Sequence, residues 1–133
     1  MEFIDNPSKE ILEKLQLELK NESNVGIVDI WAEPREATFY VALKDSKPVA
    51  VATVCGDIDC PELYKLYVIP SNRRFGVAEQ LFNHVMLSVK HIGAEELFVE
   101  ATVESVLFWN KIINQNDVEH IEGTRKVFFK FQE

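Results

Sequence analysis

Cysteine is scarce in this chain: Cys55 and Cys60 are the two in 133 residues. That is too few for a disulfide framework, and in a reducing compartment both read as free thiols. No histidine pair or further cysteine stands at ligand spacing beside them, so no metal site is expected. His84 and His91 share one predicted helix but lie about 10 Å apart by the helical rise, too far for one ion. Basic charge is also short, with 14 Lys and Arg against 22 Asp and Glu and a formal net charge of −8. That argues against broad contact with DNA or RNA, whose affinity comes from a basic surface. It mildly favours a cationic partner through long-range steering. No apolar run is long enough to cross a bilayer, and the start, MEFIDNPSKE, lacks the basic-then-apolar build of a secretory leader. No membrane association and a cytoplasmic location are therefore expected. Repeats, low-complexity stretches and Gly/Ser linkers are missing too, so residues 1–133 are expected to form one domain.

What is present is a globular mixture, 47% apolar and 27% charged. Residues 8–20 place Ile11, Leu12, Leu15 and Leu19 on one helical face, with Asn6 or Ser8 as a cap. Residues 25–31, VGIVDIW, read as a short strand or an ordered loop. EATFYVAL (36–43) and KPVAVATVCG (47–56) read as strands joined by a KDS hairpin turn, and PELYKLYVI (61–69) as a third. Residues 75–92 form an amphipathic helix on Ala78, Leu81, Phe82, Val85, Met86 and Val89, stopped by Gly93. EELFVEA (95–101) is a strand. VESVLFWNKIINQ (103–115) is apolar nearly all round, which predicts a buried helix. VEHI and RKVFFKFQE close the chain as a hairpin around Glu122-Gly123. The order predicts an α/β (α+β) domain with a central mixed sheet flanked by helices, and a parallel strand–helix–strand unit over 62–101. A homodimer is left open, with the final strand as its candidate edge.

The stretch LYVIPSNRRFGVAEQLF, 66–82, joins a strand end to a helix start. The first N–H groups of a helix lack internal partners and carry partial positive charge, so they suit an anion. Gly76 lets a ligand approach the backbone, and Arg73 and Arg74 carry donors suited to phosphate oxygens. No lysine follows a glycine-rich loop and Gly76 stands alone, so neither a Walker loop nor a dinucleotide fingerprint is present.

Val68-x-Pro70-x-x-Arg73-x-x-Gly76-x-Ala78-x-x-Leu81-Phe82 resembles the acetyl-CoA-binding motif of the GNAT superfamily of N-acetyltransferases. The order of elements is similar across most of the chain. The resemblance implies a single-domain GNAT-like fold in which the strands at 62–69 and 95–101 splay to form the CoA cleft. Arg73 and the backbone of Arg74, Phe75, Gly76, Val77 and Ala78 would hold the pyrophosphate of acetyl-CoA, the cosubstrate. The pantetheine arm would run along Leu66, Tyr67 and Val68. The implied reaction is acetyl transfer to a primary amine of a small molecule or protein. The alternative is a non-catalytic acetyl-CoA-binding regulatory or partner-binding module.

Such transfer needs a base, because an ammonium has no lone pair, and a donor for the thioester carbonyl. Glu62 is similar in position to the glutamate that serves several family members as general base; a solvated strand-edge carboxylate is the other reading. Strand alternation puts Glu62, Tyr64, Leu66 and Val68 on one face unless a bulge intervenes. The Val68 N–H is the carbonyl donor that the resemblance implies. The family often has a tyrosine in the following helix to protonate the leaving thiolate. Here Thr102, Ser105 and Trp109 occupy the motif positions, and an indole N–H is no acid at neutral pH. Tyr64 or Tyr67 is left as a substitute acid. Trp109 is read as core packing or as a cofactor contact.

Overall fold

The structure, a computed structural model, describes residues 1–23 and 25–131. Its elements in chain order are β1 (Glu2–Asp5), α1 (Lys9–Lys20), β2 (Ala37–Lys44), β3 (Lys47–Cys55), β4 (Glu62–Val68), α2 (Val77–His91), β5 (Glu96–Glu100), α3 (Val106–Ile113), β6 (Val118–His120) and β7 (Lys126–Lys130). The strands form one sheet in the order β1-β2-β3-β4-β5-β7-β6. β4 and β5 run parallel with α2 between them in sequence, and every other neighbouring pair is antiparallel. This is the mixed sheet that the alternating pattern predicts.

Two apolar layers hold the helices to the sheet. On one face Leu12, Leu15 and Leu19 of α1 meet Val41, Val51 and Tyr67. On the other, Leu81, Phe82, Val85 and Val89 of α2, with Trp109 and Ile112 of α3, meet Ala50, Ala52, Leu97 and Phe129. Each fully buried Leu or Phe contributes roughly 1.5–3 kcal/mol by removal from water. The alanines of β3 let α2 lie close, and Phe82 meets Phe129 and Trp109 edge-on with centroids 4.9 and 5.2 Å away. α1 begins where Ser8 accepts the Ile11 N–H at 3.3 Å, a cap worth about 1 kcal/mol.

The structure corrects several expectations. The N-terminal segment carries a strand, β1, that the sequence pattern did not reveal. It is held by pairing to β2 and by α2, where His84 lies 2.7 Å from Asp5 and stacks on Phe3 at 4.5 Å. Of the two readings of residues 25–31 the ordered loop holds, fixed by side chains: Ile30 donates its N–H to Gln16 at 2.8 Å and accepts the Thr53 hydroxyl at 2.6 Å. The segment at 103–115 is a 3-10 turn followed by α3, and it is not buried all round. Leu107 is 87% exposed and Val103 68% exposed, because α3 has the sheet on one side and nothing described on the other. The final strand is no edge: β7 lies between β5 and β6, so β6 forms that border. Gln132 and Glu133, read as the end of that strand, lie outside the described residues.

Candidate active site

β4 and β5 pair through Glu62–Phe98 and Leu63–Val99 and then part. β5 ends at Glu100, where Ala101 and Arg125 bond to each other and turn the chain toward α3. β4 continues to Val68 with its β5-facing edge unpaired, so a wedge opens between the strands. The cleft is about 400 Å³, and Tyr64, Leu66, Tyr67, Val68, Arg73, Ala78 and Trp109 line it. Main-chain direction follows from one bond. Ile69 donates its N–H to Val49 of β3, so alternation turns the Val68 N–H and C=O the other way, toward the cleft.

At the C-terminal end of β4 the chain makes a 3-10 turn over Pro70–Asn72 and reaches α2 through Arg73–Gly76. Arg74 and Gly76 both hold left-handed backbone, φ 69° and 76°. The N–H groups of Asn72, Arg73 and Gln80 have backbone acceptors; among the described residues none of those from Arg74 to Glu79 does. A Cβ on Gly76 would meet only Gln80 Nε2, at 3.9 Å, so neighbouring protein does not demand a glycine there. The left-handed φ favours glycine, and the bare backbone stays open to a ligand. The predicted helix start at 75 moves to Val77, which leaves Phe75 and Gly76 in the turn.

Arg73 is placed differently from the phosphate-facing side chain of the sequence reading. Its Nε donates to Val68 O at 3.0 Å, and its Nη2 meets the Glu22 carboxylate at 2.8 Å. The guanidinium also stacks over Tyr67, 5.7 Å from the centroid. Tyr67 donates its hydroxyl to the same Glu22. Burial, and then this carboxylate, hold the Tyr67 proton more tightly than in a free phenol. Glu22 thus ties the end of α1 to the turn. Nothing in the local pattern marked it, because its partners are 45 and 51 residues away.

At the N-terminal end of β4 a bulge intervenes. Thr53 pairs with Lys65 and Val54 with Leu63, so Tyr64 is the extra residue. The expected single face is therefore split. Glu62, Lys65 and Tyr67 share the α1 face with their partners Cys55, Thr53 and Val51, while Leu66 and Val68 share the α2 face with Ala52 and Ala50. Glu62 accepts from Arg35 at 3.0 Å and lies beside the cleft, outside its lining. Lys65 donates to Asp29 at 2.7 Å, and that bond holds the Asp29 carboxyl below the ordinary carboxylate range. Arg35 and Lys65 both lie over the Tyr64 ring, 5.3 and 5.2 Å from its centroid. Burial pushes the Cys55 thiol up, so it is a poor nucleophile, and Cys60 is exposed.

Trp109 packs into the core and also lines the cleft. It is 6% exposed, packs against Phe82 and Phe108, and still presents an edge to the cleft. The lining that sequence reasoning missed comes from Val25 and Ile27 of the loop, from Val99, Glu100 and Phe108, and from the Thr102–Ser105 turn. Thr102 and Ser105 bond to each other at 2.8 Å as a capping pair. Among the described residues no group of three or more His, Cys, Asp or Glu could hold a metal ion, and no helix is long and apolar enough to cross a membrane.

Three solved structures illustrate the likeness to known proteins. The PaiA N-acetyltransferase of Thermoplasma acidophilum in complex with coenzyme A superposes with a TM-score of 0.73 at 16% identity, covering 98% of this chain and 100% of that one. Tetrahymena GCN5 gives 0.69 at 14% identity, with 99% and 97% coverage. YhhK of E. coli, a putative N-acetyl transferase bound to coenzyme A, gives 0.68 at 17% identity, with 98% of each chain covered. At these identities the likeness is one of fold. Among curated protein sequences no match is found. The model of the acetyltransferase (GNAT) domain matches residues 35–112, from Arg35 before β2 into α3. The chain belongs to the GNAT acetyltransferase family.

Proposed function

We propose that this chain is a cytoplasmic N-acetyltransferase that moves an acetyl group from acetyl-CoA to a primary amine by direct attack on the thioester. The observation that carries the reading is the row of unpartnered N–H groups from Arg74 to Glu79, at the open end of the β4–β5 cleft. It suits a diphosphate. The cleft behind it suits an apolar arm running past Leu66, Val68 and Trp109. Two structural neighbours are complexes with coenzyme A, which supports the same reading.

Acetyl-CoA supplies an activated thioester. The amine nitrogen forms the new N–C bond, the C–S bond breaks, and the sulfur leaves as a thiolate. This chain's residues handle charge and protons. The Val68 N–H, turned to the cleft, donates to the carbonyl oxygen as negative charge develops. Glu62, 3.0 Å from Arg35, takes the proton from the incoming ammonium through water, since it stands just outside the lining. Tyr64 lines the cleft and is 43% exposed, so its hydroxyl is available to return a proton to the thiolate. Tyr67 is a poor second choice, its proton being committed to Glu22. Trp109 has no acidic proton, which is the observation behind the alternative reading, a module that binds acetyl-CoA without turning it over.

The test is release of free CoA thiol from acetyl-CoA across a panel of small amines, polyamines and lysine peptides. Amine-dependent release, lost in Gly76→Glu, supports the transferase. Saturable binding without release over the whole panel moves the conclusion to the binding module.

A further inference from the structure

The hairpin between β2 and β3 ends beside the anion turn. Ala50 pairs with Val68 and Ile69 donates to Val49, so the start of β3 and the end of β4 share one border of the sheet. There Lys14 of α1, Lys44 and Lys47 of the hairpin, and Ser71 and Asn72 of the turn line a recess of about 660 Å³. Glu18 and Asp45 are its acidic neighbours.

Two local costs mark this tip. Lys44 and Lys47 face each other directly across the strands, a like-charge pair that destabilises a hairpin. Between them Asp45 and Ser46 adopt φ 52° and 65°, where Asn-Gly is the favoured choice. Neither lysine has an ion-pair partner among the described residues, in a chain whose net charge is −8. Lys44 lies instead over the ring of Phe75, 5.4 Å from its centroid, which ties the hairpin to the turn.

We propose that Lys44 and Lys47, with Lys14 behind them, form a subsite for the 3′-phosphate of the CoA ribose. This rests on the acetyl-CoA reading above and adds to it a means of telling CoA from its dephospho form. A phosphate monoester carries roughly 1.5 to 2 negative charges near neutral pH. It stands a few bonds from the diphosphate, and the recess adjoins the turn, through Ser71 and Asn72 in its lining and through Lys44 over Phe75. Bound there, it relieves the Lys44–Lys47 repulsion.

The experiment is calorimetric titration of the protein with acetyl-CoA and with acetyl-dephospho-CoA, repeated on Lys44→Glu/Lys47→Glu. The wild type is expected to prefer acetyl-CoA by about tenfold, and the double variant to bring that ratio to about one. Equal affinity of the wild type for the two ligands overturns the subsite while leaving the acetyl-CoA reading standing. A preference that persists in the double variant overturns its location. Binding of neither ligand by folded wild type removes the acetyl-CoA reading, and the subsite with it. Circular dichroism checks the fold, and Lys44→Gln/Lys47→Gln serves if charge reversal disturbs it.

Discussion

The two ends of β4 solve different problems with different parts of the chain. At the C-terminal end the groups offered to a ligand are main-chain N–H groups, from Arg74 to Glu79, shaped by left-handed backbone at Arg74 and Gly76. The most prominent side chain there, Arg73, is turned inward to Val68 O and Glu22. At the N-terminal end the polar groups are side chains, and each is met by a partner from the loop before β2: Glu62 by Arg35, Lys65 by Asp29. Those partners lie 27 and 36 residues away in sequence. The end proposed to hold the cofactor is thus a local device, complete within one turn and the start of one helix. The end proposed to meet the acceptor is assembled by folding.

The sharpest way to break that contrast is Gly76→Glu. It forces a side chain into left-handed backbone, at about 1–2 kcal/mol, and puts negative charge where the diphosphate would lie. Calorimetry should show acetyl-CoA affinity falling by roughly 100-fold or more. Normal binding would mean that the turn is not the anion grip. Next in size is Glu62→Gln. If the N-terminal end does the proton chemistry, kcat near neutral pH falls by roughly 100-fold while acetyl-CoA binding holds. A rate equal to wild type at every pH removes the general-base role.

Glu22→Gln tests whether the α1 tie is scaffold or chemistry. Urea unfolding should register a loss of about 1–2 kcal/mol from the weakened bonds to Arg73 and Tyr67. Tyr67→Phe should lose less, and the alkaline limb of its pH–rate profile should match that of wild type; a shifted limb would make Tyr67 an acid after all. The smallest effect is acid-dependent. The folded Asp29 carboxyl sits below its ordinary value of 3.8, so its ion pair with Lys65 stabilises the fold above that pH. The contribution fades as pH falls through the depressed value. Asp29→Asn should therefore unfold more readily than wild type at neutral pH and converge with it once the pH has fallen below that depressed value.

Most of the architecture was legible. α1 and α2 carry apolar residues at helical spacing, and β2, β3 and β4 are bounded by turn residues, so local pattern and tertiary burial agree. The motif around Gly76 was legible for the same reason: its function depends on residues adjacent in sequence. What escaped depended on distant contacts. β1 is four residues long and is a strand because β2 and His84 hold it. The bulge at Tyr64 follows from the register with β3, and it moves Glu62 to a different face from Leu66. The exposure of Leu107 and the interior place of β7 depend on where neighbouring elements lie.

By itself, then, the sequence determined the alternation of strands and helices, the acidic balance and the glycine-bearing turn between Pro70 and Ala78. All three are set by side-chain period, charge and the conformational freedom of one glycine, properties that a short segment carries into any fold. Only the tertiary structure decided that β4 and β5 part after Leu63, that Glu62 meets Arg35 and that Arg73 turns to Glu22. Those are pairings between groups far apart along the chain, and their energy exists only once folding has brought both partners to the same place.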